Sequence, residues 1–201
     1  MPQFRSYPEA TSLIVNDAFV IDRIGQGTMF IEQQDTNSTF RVSMRSPPAN
    51  PYSASPVRRL PYDHIDYDTT GGYSLTQSVP GFGTIPAFRV PITGYWRFET
   101  ATQFHDNSTS DTVSILQGMS QLTATGATVE FYQFNSPLMT VNGTASSQTF
   151  SVGFSVQAFC TQGNFLFTNS DLESAATNAN LQINASTATL VNTYFSGSYI
   201  R

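Results

Sequence analysis

Apolar and polar residues alternate along most of this chain with a period of two. Over residues 94–104, Tyr95, Arg97, Glu99 and Ala101 fall on one face, and Trp96, Phe98, Thr100 and Thr102 on the other. Phe150, Val152, Phe154 and Val156 alternate in the same way with Ser151, Gly153 and Ser155. Helical periodicity is nearly absent. Segments of this kind between Gly, Asn, Ser and Pro clusters predict strands near 18–24, 28–33, 39–44, 73–79, 84–91, 94–104, 112–117, 127–134, 137–141, 148–158, 163–168, 180–183 and 188–200. That is about one strand per ten residues, the spacing of an all-β sandwich or barrel. Residues 171–179 are the one helix-tolerant stretch, and their length favours a loop with at most one turn.

Residues 46–62 interrupt the pattern, because five of the chain's eleven prolines fall there. Proline removes an amide donor and fixes φ, so the stretch reads as an extended linker. The expected organisation is an N-terminal β segment over 1–45, a Pro-rich linker over 46–62 and a β domain over 63–201.

Composition narrows the function classes. Charged residues make up 11% of the chain and aromatics 13%, and all nine cationic side chains are arginine. The net charge of −5 is uneven. Residues 1–60 hold six Arg against five acids, whereas residues 61–201 hold three against nine. No basic stripe exists to neutralise phosphates, so nucleic acid is not an expected partner. Cys160 is the single cysteine and cannot form an intrachain disulfide. The first residues lack the pattern of a secretory signal, and no apolar run approaches the ~18 residues of a membrane span. The expectation is a protein made in a cytoplasm, not embedded in a membrane, and carried outside by something other than a signal, such as a virus particle.

Three short motifs carry a resemblance. Pro91, Gly94 and Tyr95 form a Pro-x-x-Gly-Tyr turn that leads into the aromatic strand. A strand, a Gly163-Asn164 turn and a further strand follow near 158–167, and the chain closes on Phe195-Ser196-Gly197. This resembles the globular heads of the complement-type and tumour-necrosis-factor-like superfamily, which are trimeric jelly rolls. The penultimate turn often carries Gly-Asp in that family, where this chain has Gly-Asn. The resemblance covers about two-thirds of the chain. It implies a jelly-roll β-sandwich and a homotrimer. Many aromatics on both strand faces would leave a monomer with large exposed apolar patches, which soluble monomers avoid. The interface candidates are Tyr95, Phe98, Tyr194, Phe195 and Tyr199, although Trp96 and Phe98 also suit a sandwich core.

Residues 11–31 read as a strand, a Gly25-Gln26-Gly27 turn and a returning strand. Their Asp-x-Phe-x-Ile-Asp and Gly-x-Gly-Thr rhythm resembles the attachment segments of bacteriophage structural proteins. An isolated hairpin is marginal alone, so it would gain order from a partner. Phe19, Ile21, Arg23, Phe30 and Ile31 are the anchor candidates.

Catalytic and metal signals are weak. His64, His105 and Cys160 have no ligand spacing. Asp63, Asp66 and Asp68 lack the glycine and closing glutamate of a calcium loop. Glu99 and Glu130 are a carboxylate pair only if the fold brings them together. No nucleophile elbow, phosphate loop or dinucleotide fingerprint appears. The expectation is a non-enzymatic bacteriophage structural protein on the virion surface, without cofactor or metal. A trimeric capsid decoration protein, cement or short head fibre fits best, with the major capsid protein or a tail protein as partner. The alternative is a tail-fibre or spike-tip adhesin that binds a host surface glycan.

Overall fold

The computed structural model describes residues 19–22, 28–31, 38–48, 57–106, 112–135, 139–140, 148–172, 180–187 and 189–200. Every regular element among them is a β-strand. The chain divides into two compact units, Met1–Asn37 and Ser38–Arg201.

The first unit contains an antiparallel hairpin of β1 (Phe19–Asp22) and β2 (Thr28–Ile31), in register Phe19↔Ile31 and Ile21↔Met29. The second unit is a jelly-roll sandwich of two antiparallel sheets. One sheet runs β11 (Thr128–Asn135), β10 (Ile115–Leu122), β14 (Phe165–Leu172), β7 (Gly83–Arg89) and β6 (Tyr73–Val79), and β4 (Val57–Arg59) also pairs with β14. The other runs β13 (Gln148–Cys160), β8 (Gly94–Asp106), β16 (Tyr194–Tyr199), β3 (Thr39–Ser43) and β5 (His64–Asp68), and β15 (Leu181–Ile183) pairs with the far end of β8. A short ladder joins β9 (Thr112–Val113) to β12 (Met139–Thr140).

Alternation decides which side chains meet between the sheets. Along β8, Trp96, Phe98, Thr100, Thr102 and Phe104 point inward and are buried, while the intervening residues are exposed or half-buried. They meet Phe40 and Val42 from β3, Phe88 from β7, Met119 from β10, Leu166 from β14 and Phe195 from β16. Phe40 lies 4.2 Å from Phe88 and 5.2 Å from Phe195, centroid to centroid. Phe165 and Phe167 alternate to the opposite face of β14. They form a second cluster with Val79, Ile85 and Leu122, and the Arg59 guanidinium lies over Phe82 and Phe167.

Two boundaries differ from the sequence reading. β3 lies within the segment assigned to the anchor, yet it sits between β16 and β5 in the sandwich. The linker also ends early. Val57–Arg59 pairs with β14, and Leu60 and Tyr62 are both 2% exposed in the core. Proline density marks where a ladder cannot run, but the Val57–Arg59 triplet carries no proline and keeps all its amides. Residues 49–56 and most of the helix-tolerant stretch (173–179) lie outside the described residues.

Tyr62 bridges the two sheets. Its hydroxyl accepts from Thr168 Oγ1 at 3.0 Å, donates to the Tyr194 carbonyl at 3.3 Å and lies 3.4 Å from Thr100 Oγ1. Burial pushes this phenol up to about 12, against the opposing pull of the Thr100 and Thr168 hydrogen bonds. Burial likewise pushes the Cys160 thiol up to about 12. Both groups hold their protons more tightly folded than unfolded. Their contribution to stability is therefore complete below pH 9 and is lost as pH rises towards about 12. The loss is on the order of 3 kcal/mol for Tyr62 and on the order of 4 kcal/mol for Cys160. Urea midpoints measured from pH 8 to pH 12 should fall steadily above pH 9, and Cys160→Ala should remove the earliest part of the fall. A flat profile to pH 11 would contradict this.

Candidate interaction face

The outward residues of the β13–β8–β16–β3–β5 sheet form one continuous surface. Strand register sets its rows. Phe159 pairs with Tyr95 at one end. Below it, Gln157, Arg97, Ser198 and Thr39 line up across four strands. The next row runs Ser155, Glu99, Ser196, Arg41 and Tyr67 across all five. A third row holds Gly153, Ala101, Tyr194 and Ser43.

The upper end of this face is apolar and aromatic. Tyr95 is 51% exposed and Phe159 is 53% exposed, and their rings meet edge-on with centroids 5.3 Å apart. Ile200 is also exposed, and its amide donates to the Tyr95 carbonyl at 2.8 Å. The middle is polar but nearly neutral. Arg97 Nη2 sits 2.8 Å from Glu99 Oε1, and Arg97 Nε–H donates to Ser155 Oγ at 3.3 Å. A shallow depression of about 230 Å³ opens here, bounded by Tyr67, Arg97, Glu99 and the Ser196–Ser198 stretch of β16.

The edge strand β5 carries Asp66 and Asp68, and Asp63 immediately precedes it; these are the aspartates considered for a metal. Asp66 is instead an ion-pair hub: Arg41 Nε lies at 3.4 Å, Arg45 Nη2 at 3.3 Å and His64 Nε2 at 3.7 Å, and Ser43 Oγ donates at 3.0 Å. Asp63 accepts from the Arg45 amide at 2.6 Å. Asp68 caps the turn into β6, accepting from the Thr70, Gly71 and Tyr73 amides. Among the described residues no group of three His, Cys, Asp or Glu side chains is placed to hold a metal. Glu99 and Glu130 stand on strands of different sheets, β8 and β11.

The interface candidates separate by strand parity. Tyr95 and Tyr194 face outward. Tyr199 is half-buried and packs on Trp96 with centroids 5.3 Å apart. Phe98 and Phe195 are each 1% exposed, stacked at 5.9 Å inside the core, and so they are not surface residues of the folded chain. The correction follows from the alternation already visible in β8: a residue two places from Trp96 shares its face. Phe159, Tyr67 and Ile200 are exposed aromatic or aliphatic residues that the sequence reading missed. Phe159 was readable, since it shares its parity with Ser151, Gly153 and Ser155. Tyr67 was not, because the sequence pattern predicts no strand over His64–Asp68 whose parity could be read. Among the anchor candidates, Phe19, Ile21, Phe30 and Ile31 stand on β1 and β2, and Arg23 lies outside the described residues.

Comparison with known proteins rests on the fold. No protein-family model matches this chain, and no curated protein matches it in sequence. The crystal structure of murine APRIL at pH 5.0 superposes with a TM-score of 0.52 at 13% identity, covering 81% of this chain and 98% of that one. The pH 8.0 structure of murine APRIL gives 0.51 at 12% identity over the same shares. The globular domain of zebrafish complement 1qA protein gives 0.49 at 10% identity over 82% of this chain and 98% of that one. The tumour-necrosis-factor-like jelly roll expected from the turns and terminal strand is therefore the fold of residues 38–201.

Proposed function

We propose that this protein is a homotrimeric structural protein of a bacteriophage particle, acting by contact and not by catalysis. The observation that supports this best is the outer face of the β13–β8–β16–β3–β5 sheet. It carries the Tyr95–Phe159 pair and Ile200 at one end, and its one central ion pair is internally neutralised. An exposed aromatic patch beside polar rows whose arginines are paired with carboxylates of the same face, Arg97 with Glu99 and Arg41 with Asp66, is the composition of a surface that another protein covers. The number three comes from the trimeric family that the chain's motifs resemble. The particle assignment rests on the N-terminal hairpin, which belongs to a unit separate from the sandwich and resembles phage attachment segments. A decoration or cement role on the head fits a stretch of 201 residues that carries no collagen-like or heptad repeat.

Light scattering of the purified full chain should return about three times the 22.0 kDa chain mass. Removal of residues 1–37 should leave that mass-ratio unchanged and abolish incorporation into particles. Truncation to residue 45 is not an equivalent test, because it deletes β3 from the middle of a sheet. A monomeric full chain, or a truncated chain that still decorates particles, would defeat the proposal.

A further inference from the structure

At one end of the sandwich four turns converge on a cleft of about 630 Å³. Its walls come from the β5–β6 turn at Gly71, the β7–β8 turn at Val90 and Pro91, the β10–β11 turn at Ala124 and the β13–β14 turn at Gln162 and Gly163, with Arg89 at the end of β7 and Gln77 of β6 beside them. This volume lies within the range of ordinary small-molecule sites.

The cleft is held open by backbone hydrogen bonds between its walls. The Gly163 amide donates to the Val90 carbonyl and the Val90 amide to the Asn164 carbonyl, both at 2.8 Å. The Arg89 amide donates to the Gly72 carbonyl at 2.8 Å. Gly163 has φ of +89°, a conformation that other residues rarely adopt, and a Cβ built on Gly71 meets nothing within 4 Å. The walls therefore present backbone and space where most turns present side chains.

Among the described residues lining this cleft, Arg89 is the single charged one. Its guanidinium lies 5.9 Å from the Phe165 ring centroid, and among the described residues it pairs with no carboxylate. Arg41 and Arg45, by contrast, share Asp66, and Arg97 has Glu99. An arginine fork without a partner matches a carboxylate in two parallel hydrogen bonds. Gln77 and Gln162 add amides that both donate and accept, which suits hydroxyl groups. Among the described residues no acid lines the cleft to attract a cation, and no aromatic ring lines it to stack a flat heterocycle.

From this combination we infer that the cleft binds an acidic sugar: a hydroxylated ring bearing a carboxylate, with the carboxylate on Arg89 and the ring hydroxyls on Gln77 and Gln162. The inference goes beyond the particle role and does not depend on it.

The test uses the isotope-labelled full chain and three probes. D-glucuronic acid carries carboxylate and hydroxyls, its methyl ester keeps the hydroxyls without the charge, and acetate keeps the charge without the ring. Glucuronate should shift the Gly71 and Gly163 amides and the Gln77 and Gln162 side-chain amides saturably. The ester and acetate should each bind about tenfold more weakly or worse, the loss expected when a charge-assisted pair or its supporting hydrogen bonds are removed. Arg89→Gln should reproduce the ester's loss, and Ala124→Tyr should block the cleft, both with unchanged melting temperature. Absence of saturable shifts, equal binding of acetate and glucuronate, or full glucuronate binding by Arg89→Gln would each overturn the assignment. The mass and particle experiments above are unaffected by either outcome.

Discussion

Trp96→Ala is expected to cost about 3–5 kcal/mol of folding stability. Trp96 is fully buried and is in contact with three other rings: Phe88 at 5.2 Å, Phe98 at 6.1 Å and Tyr199 at 5.3 Å. Truncation removes the transfer free energy of the indole and leaves a cavity. The flanking strands cannot close it, because β8 is fixed by β13 on one side and β16 on the other. It also removes the Nε1–H donor to the Ile92 carbonyl at 3.1 Å, the bond that ties the Pro91–Gly94 turn to the strand it launches. Set against the roughly 5–15 kcal/mol of a typical domain, this is a large share of the total. Urea unfolding followed by far-ultraviolet dichroism would show a much lower midpoint with a similar slope. A loss of about 1 kcal/mol or less would mean that the aromatic cluster repacks freely and does not organise the core.

The second large effect concerns assembly. A double substitution, Tyr95→Glu with Phe159→Glu, is expected to convert the proposed trimer to a folded monomer. Both side chains are about half exposed, so their replacement removes little core packing and the melting temperature of the isolated sandwich should change little. If neighbouring subunits cover this patch, two carboxylates per chain would be desolvated without a partner, six in a trimer. An unpaired buried charge costs several kcal/mol, enough to override the association. Sedimentation equilibrium distinguishes the outcomes. A trimer that survives the double substitution would show that subunits meet through another face. Gln157→Glu, in the adjacent row and on the polar part of the same face, serves as the milder companion change.

Much of the architecture was legible before any coordinates. Alternation at 94–104 and 150–156 reports two long strands, and they pair over their full length as β8 and β13. The Pro91–Gly94 turn and the terminal Phe195-Ser196-Gly197 carried the jelly-roll resemblance. In the fold Gly197 shows why glycine stands there: a Cβ at that position would come within 2.4 Å of Phe40 and 2.9 Å of Phe98. The contact face was only half legible. Parity along a strand follows from local stereochemistry, so Tyr95 and Phe159 could be placed on one side, and Phe98 should have been placed on the other.

What the sequence determined by itself is therefore local: strand periodicity, the turns, the place where proline forbids a ladder, and the weak charge of the whole surface. These follow from backbone sterics and side-chain chemistry within a few residues. The tertiary structure alone decided the rest. It put β3 into the sandwich between the last strand and β5, and drew Leu60 and Tyr62 out of the apparent linker into the core. It also made Asp66 the partner of Arg41, Arg45 and His64, and brought four turns together around Arg89, which pairs with no carboxylate among the described residues. In a Greek-key sandwich the partners of a strand lie far along the chain, as Phe40 and Gly197 do. No pattern within a short window records which distant residue will fill the opposite side of the sheet.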